Sequence, residues 1–126
     1  NGKLILTKNQ TISPFQTCNL IENPDLYQPL RCTLFSKKIE ANFSGIQTLK
    51  DKETDRVISL ETELNKLNSI KIIDTHKDHR MAMSVAPLCL KFGKLQINDV
   101  EVVSKSYPDF WKDLKKSGFI ISLLSD

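Results

Sequence analysis

The sequence predicts an α/β fold with split βαβ units, and three observations point to it. Short apolar runs of strand type recur at residues 15–21, 39–43 and 70–73, the last one β-branched. Longer stretches with a helical period lie between them, most clearly Val57, Leu60, Leu64 and Leu67. Proline, glycine and serine punctuate the junctions, as in Asn23-Pro24 and Ser44-Gly45. Strands that alternate with helices along a chain are the mark of an α/β or split βαβ architecture.

Each element follows in order. Residues 3–7 and 15–21 read as short strands separated by a polar, proline-containing loop. "NPDLYQPLRCTLFSKK" then starts a helix, with Asn23 as N-cap and Pro24 at the first helical position, and with a kink expected at Pro29. Residues 39–43 alternate like a strand that stops at Ser44-Gly45, and a helix runs over about 52–67. A strand at 70–73, a helix over 78–92 and a strand at 95–97 come next. A helix over 108–116 ended by Gly118 and a strand at 119–124 close the chain.

Composition narrows the class. At 126 residues and 40% hydrophobic content the chain has the size and apolar share of one soluble globular domain. The three cysteines, Cys18, Cys32 and Cys89, are an odd number without a C-x-x-C pair, which argues against a disulfide framework and a cysteine zinc site and points to a reducing cytoplasm. The net charge of +3 is small and the lysines alternate with acids, so no nucleic-acid partner is expected. No apolar run approaches the roughly 18–20 residues that span a bilayer, so no membrane partner is expected either. The start, "NGKLILTKNQ", lacks a signal-peptide core and an initiator methionine, which gives the expectation of a fragment of something longer.

Four cations stand near three expected helix starts. Lys52 and Arg56 flank one in "LKDKETDRV", Arg80 sits in the first turn of another in "DHRMAM", and Lys105 lies just before Pro108 in "SKSYPDFW". A cation there faces unpaired N–H groups and the positive end of the macrodipole, at a cost of a few tenths of a kcal/mol. Taken together they point to an anion held between helix N-termini, with arginine supplying a planar fork for a carboxylate or phosphate. Glu53 and Asp55 serve the helix's first turn, and a buried Glu53 is also a proton donor or acceptor. Asp25 is most simply a first-turn acid, Asp78 an N-cap, and Met81 and Met83 core.

"DTHKDH" brings Asp74, His76, Asp78 and His79 within six residues, but two histidines three apart across a strand-to-helix corner fit a metal poorly, and none is expected. A Ser/His/Asp hydrolase is not expected either, since no G-x-S-x-G elbow is present.

"KETDR", "DHRMAM" and "VVSKSYPDFW", in that order and preceded by "NPDLYQ", resemble the C-terminal portion of the 5-enolpyruvylshikimate-3-phosphate synthases, the 3-phosphoshikimate 1-carboxyvinyltransferases. The related UDP-N-acetylglucosamine enolpyruvyltransferases share the fold but do not carry "KETDR" and "DHRMAM" in this form. The resemblance implies two similar domains, each an inside-out α/β barrel of βαβαββ units, with residues 1–126 holding part of the second domain and the N-terminal domain absent. It implies transfer of the enolpyruvyl group of phosphoenolpyruvate to the 5-hydroxyl of shikimate 3-phosphate, with release of phosphate and without metal or organic cofactor. This is a cytoplasmic step of aromatic amino acid synthesis and the target of glyphosate.

Position by position, the resemblance makes Arg56 and Arg80 the grip on the phosphoenolpyruvate carboxylate and Lys105 the contact to its phosphate. Asp25 becomes the proton acceptor at the shikimate hydroxyl, Glu53 a proton-transfer residue, Lys52 a neighbour of the shikimate ligand and His79 a support. Three departures accompany it: a shortened segment near Ser69-Ile70, Thr48 where some members have asparagine, and Pro29 and Arg31 where smaller residues are usual. The chain alone is expected to be inactive. A non-catalytic module that keeps only the anion site is the alternative.

Overall fold

A computed structural model describes residues 3–5, 7 and 15–124. Strand β1 (Phe15–Asn19) pairs in parallel with β2 (Glu40–Ser44), Phe15 facing Glu40 and Asn19 facing Ser44. Between them the chain crosses over through a 3-10 turn, Pro24–Leu26, and helix α1 (Tyr27–Ser36). A second parallel pair, β3 (Ile72–Ile73) with β4 (Gln96–Ile97), is bridged by α3 (His79–Val85), the 3-10 turn Ala86–Leu88 and α4 (Cys89–Phe92). Parallel strands must be entered from the same end, so each pair needs such a crossover. Two βαβ units result, and the fold is mixed helix and strand.

Helix α2 (Arg56–Lys66) links the units after a 3-10 turn, Gln47–Asp51, and α5 (Phe110–Lys116) follows the turn Val100–Lys105. Leu60 and Leu64 of α2, together with Leu67 at its C-cap, are fully buried among Leu49, Ile73, Met81 and Val85. Burying each such side chain stabilises by about 1.5–3 kcal/mol, which fixes α2 against both crossovers. A smaller cluster, Ala82 with Val102 and Val103, is flanked by Met83, Phe110 and Trp111, so Met81 and Met83 both face apolar neighbours as expected. Trp111 Nε1 donates to the Val100 carbonyl at 2.8 Å, which satisfies the indole's one polar group.

The caps explain where the helices begin. Asp55 Oδ1 accepts from the N–H groups of Val57 and Ile58 at 3.1 and 3.0 Å, so α2 starts at Arg56 rather than at 52. At Gly45, φ is +74° and an added Cβ would stand 2.3 Å from the backbone nitrogen of Ile21, so any side chain would push the two backbones apart.

Several expected elements are revised. Pro29 falls in the first turn of α1, where its missing N–H is no loss. The helix expected over 78–92 is divided at Pro87, which lacks the N–H for an i→i−4 bond. Residues 119–124 form no strand, and Ile120 and Leu123 are almost wholly exposed. Residues 3–5 and 7 likewise form none, while Leu6 lies outside the described residues. Apolar runs without a pairing partner do not become strands.

Candidate anion site

Three chain segments converge on one guanidinium. The turn Pro24–Leu26 and the start of α1 supply Asp25 and Gln28, the approach to α2 supplies Glu53 and Arg56, and the corner before α3 supplies Asp78, His79 and Arg80. Arg56 is 3% exposed and meets three carboxylates. Its Nε donates to Asp78 Oδ2 at 2.9 Å, its Nη1 to Asp25 Oδ1 at 2.8 Å and its Nη2 to Glu53 Oε2 at 2.6 Å. Asp78 is fully buried, and it also accepts from Gln28 Nε2 at 3.0 Å and from the backbone N–H of Arg80 at 2.9 Å. A buried ion pair holds only when its remaining hydrogen-bonding positions are filled, and Gln28 and the helix cap fill them here.

Asp25 makes a second contact. Its Oδ2 lies 3.1 Å from Nη2 of Arg80, so the two oxygens of one carboxylate are divided between two arginines from two helices. His79 Nδ1 is 3.5 Å from Glu53 Oε1 and has no closer partner among the described residues.

The corner that delivers Asp78 and Arg80 is tightly built. His76 (φ 51°) and Lys77 (φ 58°) are consecutive non-glycine residues in the left-handed region, at a cost of roughly 1–2 kcal/mol each. Glu63, 1% exposed on α2, holds the corner by accepting from His76 Nε2 and the Asp74 N–H, both at 2.9 Å, while Lys66 Nζ lies 2.6 Å from the same carboxylate. The Asp74 carboxylate in turn accepts from the His76 N–H at 2.7 Å. Asp74 and His76 are thereby engaged in the corner's own bonds. Donor atoms of Glu53, Asp78 and His79 do lie within 4.8 Å of one another. Arg56, however, already stands against both carboxylates and brings the positive charge that a cation would supply.

Of the residues singled out in the sequence, Asp25, Glu53, Arg56, His79 and Arg80 come together here. Lys52 and Lys105 are exposed and make no ion pair among the described residues. Lys105 closes the 3-10 turn Val100–Lys105 instead of preceding a helix start, because α5 begins only at Phe110. Gln28 was missed, and Asp78 was read as a cap alone although it also anchors Arg56. The available signal for Gln28 was its spacing, three residues after Asp25 at the start of a helix.

The fold and the site together define a class: an α/β domain whose helix starts present two arginines to one carboxylate. Residues 69–114 match the family described as EPSP synthase (3-phosphoshikimate 1-carboxyvinyltransferase). The chain is 37% identical over 139 residues to the 3-phosphoshikimate 1-carboxyvinyltransferase of Bacteroides fragilis, covering 94% of this chain and 34% of that protein. Against the enzymes of the same name from Syntrophobacter fumaroxidans and Clostridium acetobutylicum the identities are 32% over 117 residues and 36% over 114. Those matches cover 78% and 75% of this chain, and 28% and 27% of the relatives. The chain belongs to the EPSP synthase family, and it spans about a third of the length of the curated relatives it matches.

The Bacteroides match places about 118 residues of this chain, 94% of its length, against 139 of the relative, which therefore carries about 20 more within the span. A shortened segment of that kind was expected near Ser69-Ile70, between α2 and β3.

Proposed function

We propose that the chain is part of the second domain of a cytoplasmic 3-phosphoshikimate 1-carboxyvinyltransferase, that its βαβ units belong to the inside-out α/β barrel of that domain, and that a first domain supplies the rest of the active site. The reaction moves the enolpyruvyl group of phosphoenolpyruvate to the 5-hydroxyl of shikimate 3-phosphate. Arg56 and Arg80 hold the phosphoenolpyruvate carboxylate, and Lys105 approaches its phosphate. Asp25 accepts the hydroxyl proton as the oxygen bonds to C2, and Glu53 or a group of the other domain protonates the methylene carbon. Loss of phosphate from the tetrahedral adduct, with one methyl proton returned to the group that protonated the methylene, restores the double bond. Lys52 lies toward the shikimate ligand, and His79 supports Glu53. Cations fixed before the reaction stabilise the phosphate and carboxylate charges without reorganising.

One observation carries this reading: the carboxylate of Asp25 already sits between Arg56 and Arg80, one oxygen on each. The same pair suits the carboxylate of a ligand. In the enzyme with both domains, Arg80→Ala lowers kcat/KM by roughly two orders of magnitude, the equivalent of a charge-assisted hydrogen bond of about 1.5–3 kcal/mol, and leaves the melting temperature in place. Arg80→Lys restores only part, since a point charge cannot make the forked contact. The 126-residue chain by itself releases no phosphate from the two substrates, because water exclusion and part of each site come from the other domain. A variant at Arg80 that melts well below the parent yet keeps its affinity for phosphoenolpyruvate would make Arg80 structural and overturn the assignment.

A further inference from the structure

We infer that Asp25 is a built-in occupant of the arginine pair, and that a carboxylate ligand binds by exchange with it rather than by entering a vacant site. The inference rests on the anion-site reading above and adds a gate to it.

Three features point to exchange. The first is geometry: Oδ1 lies 2.8 Å from Arg56 Nη1 and Oδ2 lies 3.1 Å from Arg80 Nη2, so the positions a ligand carboxylate needs are taken by the chain's own. The second is charge. Asp25, Glu53 and Asp78 are three carboxylates against the two guanidiniums of Arg56 and Arg80, and a fourth carboxylate would enter a site already short of positive charge. With Asp25 withdrawn, two guanidiniums face two carboxylates, and a ligand restores the count.

The third is mobility. Asp78 is fully buried and also caps α3, so it cannot leave. Asp25 has a side chain 38% exposed and rides on a three-residue 3-10 turn whose N-cap, Asn23, makes no side-chain cap bond. Among the described residues its side chain touches no partner other than the two arginines. Swinging it outward breaks two contacts and leaves the buried pair of Arg56 and Asp78 intact. A site that is free only part of the time binds more weakly by that fraction, and removing the occupant recovers the difference.

In the enzyme with both domains, the test is an NMR titration with phosphoenolpyruvate, following the arginine Nε–H signals. Asp25→Asn keeps the size of the side chain and removes its charge, and it is expected to bind about tenfold tighter than the parent. Glu22→Gln changes the net charge equally at an exposed neighbouring position and is expected to stay within about twofold of the parent. In Asp25→Asn/Arg80→Ala the gain is expected to vanish, since only one arm of the pair remains. If the parent binds and Asp25→Asn binds no tighter, or if Glu22→Gln gains as much, the exchange is wrong while the anion site stands. If neither the parent nor Asp25→Asn binds, the anion site and the exchange fall together.

Discussion

Two arginine clusters in this chain are built from the same chemistry and end differently. Arg31 of α1 meets a single acid, Glu61 of α2, through two parallel bonds of 2.7 Å, and the Tyr27 hydroxyl adds a third contact to Glu61 at 2.9 Å. The arginine also lies 5.6 Å from the centre of the Phe35 ring. Around Arg56 there are three acids and a second arginine, and polar atoms are left over: Gln28 Oε1 and His79 Nδ1 are buried and form no hydrogen bond among the described residues. A closed cluster is what helix packing alone needs. Surplus acceptors and donors around a buried charge go beyond that need, which is what the proposed anion site would require.

The largest effect that would break this contrast is on Arg56. Arg56→Ala strands the fully buried Asp78, and a loss of about 3–5 kcal/mol is expected in urea unfolding. A loss below about 1 kcal/mol would mean the buried pair anchors nothing.

Alkaline pH tests the closed cluster next. Burial and the neighbouring Glu61 raise the Tyr27 hydroxyl above its ordinary value, and burial pushes the Cys32 thiol up to about 12. Both groups are neutral acids whose folded pKa exceeds the unfolded one. Their contribution to stability is therefore complete below the unfolded values of 9.0 and 10.0, and it is lost as pH rises through the folded ones. Thermal melts are expected to hold steady up to about pH 9 and to fall beyond it, less steeply in Tyr27→Phe. A flat profile to pH 11 would show that neither group is sealed from water.

Arg31→Ala follows with a loss of about 1 kcal/mol, because the pair is partly exposed though bidentate, and it leaves the titration with phosphoenolpyruvate unchanged. Smallest is Arg80→Ala. Its side chain is 40% exposed and among the described residues pairs only with Asp25, so unfolding stability should move by no more than about 0.5 kcal/mol while anion binding drops. Equal stability losses at Arg56 and Arg80 would erase the distinction between an anchored arm and a movable one.

The sequence showed the alternation of strands and helices and the leucine face of α2 because those depend on local period. It also showed the caps at Asp55 and Asp78, which depend on neighbours two or three residues away. Asp25, Glu53, Arg56, His79 and Arg80 were named through motifs, since nothing in their own segments says that they meet. The reasoning from helix starts was half right. Arg56 and Arg80 do open helices, but their charge is offset by acids of this chain, and Lys105 opens none. Gln28 showed only by its spacing from Asp25, and what it bonds did not show because its partner lies 50 residues on. Glu63 left a trace that went unread: it stands among Leu60, Leu64 and Leu67 on the buried face, where an acid must have partners.

The two strand pairs have a consequence for handling the protein. Within the described residues each sheet has only two strands, so each strand has an edge without a ladder partner. Such an edge is a template for adding a strand from another molecule. The hazard is greatest at β3, where Ile72 is 41% exposed and Ile70, two residues before it, 50%, in the region expected to be shortened relative to the longer relatives. Lys71 stands between them, but its ammonium is turned back to the Leu67 carbonyl and over the Phe92 ring, which leaves the edge without the charge that usually guards it. A charged residue in place of Ile72 is expected to restore that guard, and the measurement is light scattering of parent and variant across a range of concentrations.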